Sequence, residues 1–298
     1  MVNMDFKTIA GIASGLCLFS CIVLTSCSSD AEEPGDNRKL RQLTIAEVPL
    51  TRATLTDNTN TLGASWNADD KATYFNLSSF RADNMDSGEL TAVSSAATST
   101  FTGSVICTTG DNLALFYPAT NPTYLGSDRG KFSINLDNQK GTLQDVAEHY
   151  HYTYGVGTVT SVTENTADAT ISSMKSLLAV CKFTFNDGSS TIPVETLEIR
   201  YADNDPQYGL SILGYPLTGT VTPAVDAGSV VATATSAMNN PLTINCETSD
   251  VVYAALFPVE NQDFHFTVTN GSGTYTGTAR ASLREGKYYR VNLTLTKE

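Results

Sequence analysis

Residues 107–118 read Cys-Thr-Thr-Gly-Asp-Asn-Leu-Ala-Leu-Phe-Tyr-Pro, and residues 246–258 read Cys-Glu-Thr-Ser-Asp-Val-Val-Tyr-Ala-Ala-Leu-Phe-Pro. Each is C-x-T-x-D followed by an apolar run containing Ala-Leu-Phe that stops at a proline, Pro118 or Pro258. A short unbroken apolar run bounded by turn residues is expected of a strand buried on both faces, and a proline, which has no N–H to donate to a ladder, ends it. The copies are offset by 139 residues (246 minus 107), close to the size of one domain. The economical reading is two similar β-sandwiches in tandem, with a coincidence of short motifs as its competitor.

Working outward, Phe264, Phe266 and Val268 alternate with His265, Thr267 and Thr269, and Tyr289, Val291, Leu293 and Leu295 alternate with Arg290, Asn292, Thr294 and Thr296. Both are period-two strands with one polar face. The glycine-rich segment 271–277 predicts a hairpin turn. An apolar strand is expected over 177–185, and the polar stretch 160–170 before it is read as holding a domain boundary near residue 170. Against this β pattern, Leu143, Val146, Tyr150 and Tyr154 fall at helical spacing, which predicts a short surface helix within 142–155, ended by Gly155. The expected fold class is therefore all-β, with one short helix near the end of a first domain, 43–169, and a second domain, 170–298.

Composition agrees. The 298 residues hold 18 Lys plus Arg against 31 Asp plus Glu, a formal charge of −13, with 16% charged and 41% hydrophobic residues. Such an acidic balance offers no counterion release on a polyanion, and no Lys/Arg cluster is interleaved with aromatics, so nucleic-acid binding is disfavoured. The 13 Tyr and 12 Phe suit a pleated, half-buried surface and argue against disorder.

The N-terminus sets the compartment. Lys7 precedes an uncharged apolar run, residues 9–24, that is too short to span a bilayer and ends in Leu24-Thr25-Ser26-Cys27. This is a signal peptide, 1–26, whose end resembles a bacterial lipoprotein processing site, with cleavage between Ser26 and Cys27 and acylation of Cys27. An ordinary secretory signal with a coincidental cysteine is the alternative. The acidic segment that follows, from Ser28 to Gly35, cannot bury enough surface to order itself and reads as part of a tether, 27–42. An acidic stretch directly after the acylated cysteine also resembles the surface-export signal of Bacteroidetes lipoproteins. With Cys17 and Cys21 removed and Cys27 acylated, the odd set Cys107, Cys181 and Cys246 cannot form a complete disulfide framework, and small buried hydrophobes are the expected role.

Catalytic patterns are missing. There is no G-x-S-x-G, no P-loop and no dinucleotide fingerprint, since Gly155-Val156-Gly157 lacks the rest of that pattern. The histidines are His149, His151 and His265; His149 and His151 would share one face of an extended segment beside Glu148 but diverge on a helix. The Asp/Asn-rich pieces 67–70, 83–86 and 203–205 lack a calcium-loop spacing and read as solvated turns. No metal, cofactor or catalytic residue is assigned.

A set of loose motifs carries a family resemblance. It comprises the lipobox, the acidic tether, a first strand ending at Thr51-Arg52-Ala53, the W-x-x-D-D sequence Trp66-Asn67-Ala68-Asp69-Asp70, the run Leu113-Ala114-Leu115-Phe116-Tyr117-Pro118, and a closing Gly286-Lys287-Tyr288-Tyr289-Arg290-Val291. Together these resemble the fimbrillin family of Bacteroidales, the lipoprotein precursors of type V pili. The resemblance implies two transthyretin-like Greek-key sandwiches, no catalysis, and a location on the outer membrane and cell surface, or in the fimbrium once assembled.

It further implies that an arginine-specific protease removes the N-terminal strand, here carrying Leu43, Ile45, Val48 and Leu50, by cutting between Arg52 and Ala53, with Arg41 and Arg38 as other candidates. The vacated groove then takes a strand from another subunit. Removal of an edge strand would expose unpaired backbone groups and an apolar groove that strand addition satisfies. The implied partners are other pilin subunits or the chain itself, a host or bacterial surface receptor or glycan, and outer-membrane lipid through Cys27. Stalk subunits need a C-terminal donor segment, whereas the sequence ends at Thr296-Lys297-Glu298, just after a strand that the second domain needs. That departure leaves tip, anchor and monomeric adhesin as roles beside stalk. The competing function is an outer-surface glycan-binding lipoprotein that does not polymerise, with Trp66 or Tyr150, Tyr152 and Tyr154 as a stacking platform.

Overall fold

A computed structural model describes residues 38–49, 54–58, 61–79, 87–119, 134–201, 217, 220–226, 229–234 and 241–298. In chain order the first strands are β1 (Lys39–Pro49), β2 (Thr54–Asn58), β3 (Thr61–Ser65), β4 (Lys71–Asn76), β5 (Ser87–Ala92), β6 (Thr98–Cys107) and β7 (Asn112–Tyr117). There follow β8 (Ile134–Asn135), β9 (Thr153–Val162), β10 (Thr166–Ile171) and β11 (Lys175–Ser176). The second half contributes β12 (Ala179–Asn186), β13 (Val194–Tyr201), β14 (Thr220–Asp226), β15 (Ser229–Ala234), β16 (Leu242–Ser249) and β17 (Val252–Leu256). It ends with β18 (Val259–Asn270), β19 (Gly273–Leu283), β20 (Tyr288–Thr294) and β21 (Thr296–Lys297). The fold is all-β with one short helix.

In the first half the sheet closes on itself in the order β10-β1-β6-β5-β4-β7-β9, with β9 pairing back to β10 and β11 hanging from β9. Closure removes free edges from this ring. β9 and β10 approach so closely that a Cβ on Gly157 would lie 2.0 Å from the Thr170 carbonyl oxygen, so only glycine fits there. The polar stretch 160–170, expected to hold a domain boundary near residue 170, forms the β9–β10 hairpin, with the Thr163 and Thr166 hydroxyls 2.7 Å apart at its tip. It is polar because it turns through solvent.

In the second half the sheets β17-β12-β20 and β16-β13-β18-β19-β21 contribute to one core, built from Phe183, Phe185, Leu197, Ile199, Ile244, Phe264, Phe266 and Val268 among others. The alternation expected for 264–268 holds. β20 runs parallel to β12 along 288–294 and lends Tyr289, Val291 and Leu293 to this core, so the closing strand is committed to its own half.

The two Ala-Leu-Phe runs are β7 and β17, and both are buried on two faces as expected. Leu113, Leu115 and Tyr117 face the interior of the first ring, while Ala114 and Phe116 enter a third core shared by both halves. In β17, Val252, Ala254 and Leu256 join the second core, and Ala255, with Phe257 just beyond, enters that same third core. The repeated Ala-x-Phe pair thus marks the face by which each half packs on the other. The preceding polar residues diverge: Asp111 is buried and Asp250 exposed.

The helix is shorter than the spacing predicts. A single α turn, α1 (Leu143–Asp145), is capped by the Thr142 hydroxyl accepting from the Asp145 N–H, and it runs into a π-helical turn over Val146–Tyr150. Gly155 does not end it. The chain is already extended at Thr153, and Tyr154 sits in β9 with its ring stacked on Phe116 at 6.0 Å. Tyr150 and Tyr154 reach the same third core from different elements, which imitated a helical stripe.

Candidate functional site

β1 fills a slot. It pairs antiparallel with β6 from Lys39↔Cys107 to Pro49↔Thr98, and parallel with β10 from Gln42↔Thr166 to Ile45↔Ala169. The strand was expected at an edge; it is internal because the ring closes across it. It also begins at Lys39, so residues 39–42, read as tether, are strand. A register shift between Ile45 and Val48, with Glu47 at φ 52, makes a bulge that returns Val48 to the inner face. Leu43, Ile45 and Val48 are fully buried in the ring's core, which at about 1.5–3 kcal/mol per side chain makes β1 a major part of that core.

Polar contacts hold both ends. Trp66, with no exposed surface, donates its indole N–H to the Val48 carbonyl at 3.2 Å and packs edge-on against Phe101 and Tyr117. The rest of W-x-x-D-D is a turn in which Asp70 accepts the Asn67 N–H at 2.7 Å; desolvation raises the Asp70 pKa above its ordinary value, against that hydrogen bond. At the other end, Arg38 Nε and Nη2 each lie 2.9 Å from an oxygen of buried Asp111. Asp111 also accepts from Asn76 Nδ2 at 2.7 Å and the Thr108 N–H at 3.0 Å. Arg41 points inward in line with Leu43 and Ile45, and its buried guanidinium donates to the carbonyls of Thr163, at 2.8 Å, and Cys107. The period-two run Arg41, Leu43, Ile45 was the sequence signal for this inward arginine; nothing local marked Asp111 as the partner of Arg38.

The other sequence candidates are placed as follows. Ser26, Cys27, Leu50, Arg52, Ala53 and the acidic pieces 83–86 and 203–205 lie outside the described residues. His149 is exposed beside Asp145 while His151 is wholly buried, so the two diverge. Trp66, Tyr150 and Tyr154 are buried and Tyr152 packs against the third core, so these rings form no exposed stacking platform. Cys107, Cys181 and Cys246 are not disulfide-bonded. Among the described residues no group of three or more His, Cys, Asp or Glu could hold a metal ion.

The same architecture occurs in solved structures. A candidate cell-adhesion protein from Bacteroides ovatus ATCC 8483 superimposes with a TM-score of 0.54 at 15% identity, over 88% of this chain and 97% of the other. A second, from Bacteroides uniformis ATCC 8492, gives 0.51 at 14% identity, over 89% and 98%. The fold is shared with these two Bacteroides proteins. A fimbrial protein from Bacteroides ovatus gives 0.37 at 14% identity, over 86% of this chain and 48% of the other. No family model and no curated protein matches the sequence. Within this fold β1 lies in a slot between β6 and β10, paired on both sides and apolar on its inner face.

Proposed function

We propose that the chain is a surface lipoprotein that serves as a fimbrial structural subunit or adhesin, assembled by removal of β1 and its replacement by a strand of another subunit. The observation that carries this reading is the slot itself. One continuous strand at the start of the described residues supplies Leu43, Ile45 and Val48 to the ring and pairs with both β6 and β10. Its loss would open two ladders and an apolar groove at once, which an extended segment would refill.

Cleavage between Arg52 and Ala53 separates β1 from β2 and is the proposed maturation step. Arg41 is buried in mid-strand and Arg38 is engaged by Asp111, so neither offers a protease an extended, accessible substrate. Leu50 belongs to the departing segment. Cys27, acylated after cleavage from Ser26, anchors the precursor in outer-membrane lipid, and the assembled product lies at the cell surface or in the fimbrium. We further propose two transthyretin-like Greek-key domains, 43–169 and 170–298, the first closed into a ring. Core membership supports two such units and puts the change between them later than residue 170, from the first core at Met174 to the second at Ala179.

The test is digestion of the 28–298 protein with an arginine-specific protease, read by intact mass, unboiled gel and negative-stain microscopy. A cut after Arg52, loss of the upstream strand and a ladder of stable oligomers is the expected result. A cut protein that keeps β1 and stays monomeric would overturn the assembly reading.

A further inference from the structure

We infer that the strand replacing β1 is basic at its leading end and comes from a subunit other than a second copy of this chain; the inference rests on the exchange reading above. When β1 leaves, the groove is not merely apolar. Asp111, 3% exposed, loses both Arg38 contacts and keeps, among the described residues, the neutral Asn76 amide and the Thr108 N–H. Ser78 loses the Arg38 donor to its carbonyl at 2.9 Å, and the Cys107 and Thr163 carbonyls lose the Arg41 guanidinium. A buried carboxylate stripped of its cation is strongly unfavourable, and a purely apolar strand would leave it so.

The groove therefore asks for a defined pattern: arginine or lysine where Arg38 and Arg41 stand, apolar residues at the places of Leu43 and Ile45, and a bulge before an apolar residue at Val48. The segment must run antiparallel to β6 and parallel to β10. The closing strand of this chain does not match. Setting Leu293-Thr294-Leu295 on Leu43-Thr44-Ile45 puts Val291 at the place of Arg41 and Tyr288 at that of Arg38. Shifting Arg290 onto Arg41 instead puts Asn292 and Thr294 at the apolar places. That strand is also already paired with β12 in its own core. Charge complementarity thus assigns the slot to a basic-headed strand of a different subunit.

The test uses the mature full chain with a sequence-specific protease site placed at Arg52, cut so that β1 is no longer covalently held. Fluorescent peptides are then offered: residues 38–50, the same peptide with Arg38→Ala and Arg41→Ala, and residues 288–298. The native peptide is expected to exchange in, with the double-alanine and 288–298 peptides at least about tenfold weaker. The gap between the first two should narrow on an Asp111→Asn protein. Equal binding of the native and double-alanine peptides would overturn the inference while leaving exchange intact. Tight binding of 288–298 would overturn the assignment to a different subunit. Failure of every peptide, the native one included, would overturn exchange and the inference with it. Because the substitutions sit in the peptides, the comparison does not depend on whether Asp111→Asn folds.

Discussion

Lys182 Nζ stands 2.5 Å from Asp57 Oδ2, and through that contact the β2–β3 ribbon is tied to the second half of the molecule. Tyr253 donates its hydroxyl to the same carboxylate oxygen at 3.0 Å, and its ring lies 5.6 Å from the ammonium. Leu55 and Leu62 of the ribbon are buried in the third core. A cut at Arg52 would therefore free β1 and leave the new N-terminus, Ala53, joined to a ribbon that stays docked.

The Lys182 and Asp57 side chains are 18% exposed, which places the pair between surface and buried extremes. Lys182→Ala is expected to cost about 1–2 kcal/mol in urea unfolding. The hydrogen bond from Lys182 holds the Asp57 carboxyl below its ordinary pKa, against desolvation, and the same bond holds the Lys182 ammonium above its own. A depressed carboxyl gives stability that is present above the ordinary value of 3.8 and lost as pH falls through the folded pKa. A raised ammonium gives stability present below 10.5 and lost as pH rises through the folded pKa. Lys182→Ala should flatten the pH dependence at both ends; an unchanged profile would refute the coupling.

Trp66 is the only tryptophan, and its N–H partner is a backbone carbonyl of β1. Its emission should be that of a buried indole in the intact chain and move to the red when β1 leaves. Trp66→Phe should lower stability by about 1–3 kcal/mol through the lost hydrogen bond and the void, measured by thermal or urea melts.

Gly157→Ala must push a methyl group onto the Thr170 carbonyl, 2.0 Å from the ideal Cβ position. Since that oxygen is backbone, the β9–β10 pair has to part, and the cost should be about 1–3 kcal/mol or more. The urea midpoint checks this.

The thiols should be silent in the native protein. Burial pushes the Cys181 thiol up to about 12 and the Cys246 thiol up to about 11. At pH 8 a disulfide reagent should react with Cys107, Cys181 and Cys246 promptly only after unfolding, with Cys246, half-buried, the first to respond. Rapid native labelling of Cys181 would contradict the core placement.

What the sequence made legible follows from periodicity. Alternation at 264–268 and the two-sided burial of the Ala-Leu-Phe runs are local properties of strands and were readable as such. The closed ring was not, because pairing β10 to both β1 and β9 is a long-range choice that no local pattern records. For the same reason β1 looked like an edge. Tyr154 was drawn into a helix by a spacing that two different elements share. In the candidate site Leu43, Ile45 and Val48 were visible as apolar residues ahead of Arg52, but the clamps were not: Arg38 and Asp111 are 73 residues apart, and Lys182 and Asp57 are 125.

The most direct measurement locks β1 in place. Thr44 and Thr102 are cross-strand partners on β1 and β6, so Thr44→Cys with Thr102→Cys can bridge the two strands. After cleavage at Arg52, the oxidised protein is expected to retain β1 and remain monomeric, and the reduced protein to lose it and form the oligomer ladder. A ladder that forms equally well with the bridge closed, or β1 that never leaves with the bridge open, would contradict strand exchange as the way this chain assembles.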